Sequence, residues 1–93
     1  MLKLLKKLFS APAAASARPS DPMEYEGYSV VATPRQVSGG WSTEGVISKE
    51  VDGELRQSSF IRADTCMSRE DAVQMSFRKA RTIIEEQGER MFR

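Results

Sequence analysis

Trp41-Ser-Thr-Glu-Gly-Val-Ile-Ser-Lys-Glu-Val-Asp-Gly-Glu-Leu-Arg-Gln-Ser-Ser-Phe-Ile-Arg62 reads as two strands joined by a two-residue turn. Asp52-Gly53 is the turn, because type I′ geometry needs positive φ at both central residues, and Asp followed by Gly meets that need. Trp41 to Val51 is the outgoing strand and Glu54 to Arg62 the returning one. With only two residues in the loop, Val51 faces Glu54, Lys49 faces Arg56 and Ile47 faces Ser58. Upstream, Tyr25 to Thr33 is rich in aromatic and β-branched residues and stops at Pro34, as a first strand should. Gly39-Gly40 supplies the next turn. Connections this short give antiparallel neighbours and a meander.

Downstream the period changes to that of a helix. Ser68 followed three residues later by Asp71 is a variant capping box, and Glu70 and Asp71 suit the positive end of the helix dipole. Val73, Phe77, Ala80, Ile84, Gln87 and Met91 recur on one face, which Ala72, Ser76 and Ile83 widen. Glu86 with Arg90 and Glu89 with Arg93 are i,i+4 pairs in the favoured order, worth about 0.2–0.5 kcal/mol each. Gly88 costs about 1 kcal/mol inside a helix, so the helix is expected to end or fray there. The predicted fold is α+β: a three-stranded antiparallel β-meander packed by one C-terminal helix (β-β-β-α) over residues 23–93, behind a disordered N-terminal tail.

That tail, residues 1–22, has two parts. Residues 1–9 place Leu2, Leu4, Leu5, Leu8 and Phe9 within an arc of about 160° on a helical wheel, with Lys3, Lys6 and Lys7 opposite. Residues 10–22 hold three of the four prolines amid Ala and Ser, a linker composition with nothing to bury. The lysines interrupt the apolar run that a signal peptide needs, and nine residues fall short of the roughly 20 that span a bilayer. A basic amphipathic segment points instead to reversible contact with a membrane surface or a partner, through Leu2, Lys3, Leu5, Lys6, Lys7, Leu8 and Phe9. The alternative is a dispensable extension.

Composition removes most chemistry. The 93 residues have room for one small domain, contain no histidine, and include a single cysteine, Cys66. Histidine-based triads, His-bearing zinc sites and an intrachain disulfide are therefore impossible. Cys66 precedes the helix start, where a thiolate gains from the dipole, but a lone cysteine between Thr65 and Met67 reads as a packing residue. The acidic pairs Glu70/Asp71 and Glu85/Glu86 read as caps and solvated surface. No catalytic residue, cofactor or metal is expected, and the chain is not expected to be an enzyme.

Charge separates along the chain. Residues 1–22 carry Lys3, Lys6, Lys7 and Arg18 against Asp21 (4 − 1 = +3), whereas residues 23–93 carry ten bases against twelve acids (10 − 12 = −2). Nucleic-acid binding needs a basic face, because phosphate neutralisation supplies most of the affinity. The candidates are Arg56 and Arg62, on one face of the third strand with Glu54 and Phe60, and Arg78, Lys79 and Arg81 on the helix. With Val73 at 0°, Arg81 falls near 80°, Arg78 near 140° and Lys79 near 240°, roughly, so the helical three do not form one stripe. Tyr25, Tyr28, Trp41 and Phe60 read as packing residues. Met75, on the helix face away from the sheet, and the unpaired sheet edges suit self-association into a homodimer.

Several runs together resemble a known family. They are Phe60-Ile-Arg-Ala-Asp-Thr65, Ser68-Arg-Glu-Asp-Ala72 and Lys79-Ala-Arg-Thr-Ile-Ile-Glu-Glu-Gln-Gly-Glu-Arg-Met-Phe92, with Tyr25-Glu-Gly-Tyr28, Gly40-Trp41 and Lys49-Glu-Val-Asp-Gly-Glu54. Over residues 24–92 the chain is similar to the small bacterial HlyU family of haemolysin-associated transcriptional activators. The resemblance implies activation of transcription in a bacterial cytoplasm, with DNA or a transcription-associated protein as partner. It assigns no residue roles. Two readings stand side by side: a transcriptional regulator, and a protein-interaction or membrane-surface adaptor that binds no nucleic acid, peripheral to the inner membrane.

Overall fold

The computed structural model describes residues 18–93. The amphipathic segment with Leu2, Lys3, Leu5, Lys6, Lys7, Leu8 and Phe9, and the linker as far as Ala17, lie outside the described residues.

Five strands form one antiparallel sheet: β1 (Met23–Tyr25), β2 (Tyr28–Ala32), β3 (Gln36–Val37), β4 (Gly40–Val51) and β5 (Glu54–Cys66). The central strand is β4, flanked by β5 on one side and by β2 and then β3 on the other, with β1 outside β2. The expected three strands are thus corrected to five. The run Tyr25 to Thr33 is not one strand: Glu26 and Gly27 take φ of 50° and 85°, and the chain turns there so that Tyr25 faces Tyr28 and Met23 faces Val30. This is a second primed-type hairpin turn, whose signal is weaker because Glu stands where Asn or Asp is usual. The minimal β3 arises because the Ser38-Gly39 turn folds Gln36 and Val37 back onto Trp41 and Gly40.

The decisive hairpin forms as read. Asp52 and Gly53 have φ of 52° and 82°, and Val51–Glu54, Lys49–Arg56 and Ile47–Ser58 are opposed. The returning strand is longer than expected, running past Arg62 to Cys66 through a bulge: Thr43 faces Arg62 while Ser42 faces Thr65.

The helix α1 spans Arg69–Gln87, with Ser68 Oγ accepting the Asp71 N–H at 3.1 Å. It stops at Gly88, whose N–H caps the Ile84 carbonyl, and a 3₁₀ turn (Gly88–Phe92) follows. Its buried residues are Ala72, Ser76, Ala80, Ile83 and Ile84, so the stripe is turned toward the small residues, and Gln87 is exposed. Small side chains let the helix lie close on β4. Ser76 Oγ accepts the Glu44 N–H at 3.1 Å and donates to the Ala72 carbonyl at 2.7 Å. The core joins Tyr28, Val30, Ile47 and Phe60 of the sheet to Ala80, Ile83 and Ile84 of α1, with Phe77, Met91 and Phe92 at its margin.

The expected helix-surface ion pairs do not form. Arg90 donates to the Glu86 and Gln87 carbonyls at the helix end, and Glu89 pairs across the fold with Lys49 at 3.0 Å. Once the helix ends at Gln87, Glu89 and Arg93 no longer share a helical face.

Candidate nucleic-acid interface

The helix crosses the sheet with one flank toward β1 and the other toward β5. This divides the basic residues of α1. Arg81 leans to the β1 flank, its Nη1 3.5 Å from Met23 Sδ. Lys79 leans to the β5 flank and pairs with Asp64 at 3.2 Å. Arg78 stands exposed between them on the outer surface.

The two strand arginines are also apart. Arg56 pairs with Glu54 at 3.2 Å, beside a hollow lined by Val51, Glu89, Phe92 and Arg93. Arg62 lies six residues along the same face, roughly 20 Å away at 3.3 Å per residue. It donates to the Ile61 carbonyl at 3.2 Å and makes no ion pair among the described residues. Of the five candidates, Arg62 and Lys79 come to the β5 flank, where Asp64 pairs with Lys79. Arg56, Arg78 and Arg81 fall elsewhere. The five candidates therefore lie on more than one part of the surface.

Two further cations, Arg35 and Lys49, are also engaged by acids. Arg35 Nε lies 2.9 Å from Glu44 Oε2, and the Ser42 hydroxyl donates to the same carboxylate. Lys49 sits over the Tyr28 ring, 4.6 Å from its centroid, while bonding Glu89. That hydrogen bond to Glu89 holds the ammonium and raises its pKa above the ordinary 10.5. Tyr25 donates its phenolic hydroxyl to Glu85, which raises the Tyr25 pKa above 10.0. Arg69 reaches the Arg18 carbonyl at 2.5 Å, above a hollow lined by Ser20, Asp21, Ser68, Glu70, Val73 and Gln74. The charges there are mixed.

These interactions were hidden in the sequence because their partners are far apart in it. Lys49 and Glu89 are separated by 40 residues, and Tyr25 and Glu85 by 60. Cys66 is half-buried at the end of β5, opposite Trp41, in keeping with a packing role. Met75 is half-buried on α1. Among the described residues no helix is long and apolar enough to cross a membrane, and no group of three His, Cys, Asp or Glu is placed to hold a metal.

Comparison with known proteins gives one finding. The family model described as "Transcriptional activator HlyU" matches residues 3–92. No curated protein and no solved structure matches the chain.

Proposed function

Because the chain belongs to the HlyU family, we propose that it is a cytoplasmic regulator of transcription, an activator, that works by contact with a transcription-associated protein or with DNA. The family match across residues 3–92 carries this reading. Protein contact is the favoured mode, on electrostatic grounds. Residues 23–93 sum to −2, and Arg35, Lys49, Arg56 and Lys79 each already face a carboxylate. A phosphate backbone approaching such a surface would have to displace those acids and would release few counterions.

Fluorescence polarisation with the target promoter, titrated across salt concentrations, tests the mode of contact. The expected outcome for the full chain is weak binding at about 50 mM salt that is lost by about 200 mM. Tight binding that survives the higher salt, and that Arg62→Ala and Arg78→Ala weaken, would reverse the preference and make DNA the direct partner. A promoter–reporter measurement with and without the chain tests the regulator role itself, and unchanged reporter output would sink it.

The division into a tail (1–22) and a folded domain (23–93) belongs to the same reading. A second reading, contact with an anionic membrane surface or a partner through Leu2, Lys3, Leu5, Lys6, Lys7, Leu8 and Phe9, is favoured by one feature. That feature is the separation of leucines from lysines in this segment.

A further inference from the structure

Among the described residues β5 is an edge strand: it pairs with β4 alone, and of its thirteen residues only Phe60 is buried. The stretch Glu54 to Arg62 runs in unbroken register against β4, and irregularity begins only beyond it. An edge with this long a regular register, its outer N–H and C=O groups unpaired among the described residues, is a template for another strand. It also carries large apolar side chains on the face away from α1, with Leu55 37% and Ile61 57% exposed.

The order of residues on this edge is self-complementary about Ser58. A two-fold axis that pairs two copies of one strand antiparallel sets residue i opposite residue 116 − i when the axis passes through Ser58. Each residue then meets one that points to the same face of the sheet. On the open face, Leu55 meets the partner's Ile61, and Gln57 meets the partner's Ser59. On the helix face, Glu54 meets the partner's Arg62, which makes no ion pair among the described residues. Arg56 lies opposite the partner's Phe60, whose ring is buried in the core of its own chain.

Neighbouring registers lose this match. Within the regular stretch, an axis at Ser59 sets Arg56 against the partner's Arg62, a like-charge opposition that the two-fold axis repeats. An axis at Gln57 sets Leu55 against the partner's Ser59 and Glu54 against the partner's Phe60. Like charges directly opposite destabilise a strand pair, while opposite charges and apolar pairs stabilise it. We propose that two copies of this chain pair along β5 with the two-fold axis at Ser58, joining their sheets into one continuous antiparallel sheet with both helices on the same face.

The solution mass of the full chain, from light scattering over a concentration series, is expected to approach twice 10.4 kDa. Glu54→Arg alone or Arg62→Glu alone should weaken the dimer by about tenfold, since each turns two attractive oppositions into repulsive ones. The double variant Glu54→Arg/Arg62→Glu should recover it. Both positions are exposed, so circular dichroism should show folded chains throughout. In a Cys66→Ser background, Ser58→Cys should form a disulfide-linked dimer under mild oxidation, because directly opposed Cα atoms lie about 4.5–5.5 Å apart, within disulfide reach. Leu55→Cys should not, its counterpart being roughly 20 Å away along the strand. A single-chain mass at about 100 μM protein overturns the proposal. So does a dimer that ignores both charge reversals, one that the double variant fails to restore, or one that cross-links through Leu55→Cys and not Ser58→Cys.

Discussion

At the scale of single residues, two small positions set close approaches: Ser76 between helix and sheet, and Gly45 within the sheet. Ser76 is fully buried, and its hydroxyl joins the Glu44 N–H to the Ala72 carbonyl. Ser76→Ala keeps the volume close to native but strands a backbone donor, at a cost of about 1–3 kcal/mol. Urea denaturation should show that loss as a lower midpoint with an unchanged slope. Gly45 marks the opposite limit of space: a Cβ there would come 2.5 Å from the Val31 carbonyl oxygen and 3.1 Å from the Phe60 ring. Gly45→Ala is expected to destabilise by about 1–3 kcal/mol through overpacking, read as a lowered thermal midpoint. The helical period placed Ser76 beside the buried stripe, but not at its centre. Its role depends on how closely α1 approaches β4, and no spacing within the helix encodes that distance.

At the scale of elements, side-chain tethers join the sheet to the far end of the helix and the turn beyond it. Lys49 of β4 holds Glu89 of the 3₁₀ turn, and Tyr25 of β1 holds Glu85 of α1. Both titrating groups have folded pKa values raised above the ordinary 10.5 and 10.0, each chiefly by its hydrogen bond to the glutamate. A raised folded pKa means the stabilisation is complete below the unfolded value and disappears as pH rises through the folded one. Thermal midpoints should therefore hold up to about pH 9.5 and fall above pH 10. Tyr25→Phe should lower the midpoint slightly at neutral pH and make the alkaline fall shallower. An equally steep fall in that variant would remove Tyr25 from this account.

The Asp52-Gly53 hairpin and the Ser68 cap were legible because each is a local rule about φ or an unsatisfied N–H. The turn at Glu26-Gly27 was missed because Glu is a poor marker for positive φ. The bulge after Arg62 was missed because its register is set across the sheet.

At the scale of the whole molecule, two charge populations coexist: a +3 segment over residues 1–22 and a −2 domain over 23–93. Co-sedimentation with anionic vesicles should separate their roles. The full chain is expected to pellet with the vesicles, and a chain beginning at Arg18, which keeps both Ser20 hydrogen bonds to Ala32, is expected to stay in solution. Equal partitioning would eliminate residues 1–9 as a membrane contact. The sequence by itself determined the hairpin register, the start and stop of the helix and the family, because these rest on neighbouring residues. Only the tertiary structure decided which cations stay free. Lys79 meets Asp64 and Lys49 meets Glu89 because packing α1 on the sheet brings together residues far apart in sequence. Among the described residues that packing leaves Arg62, and the edge it stands on, uncovered.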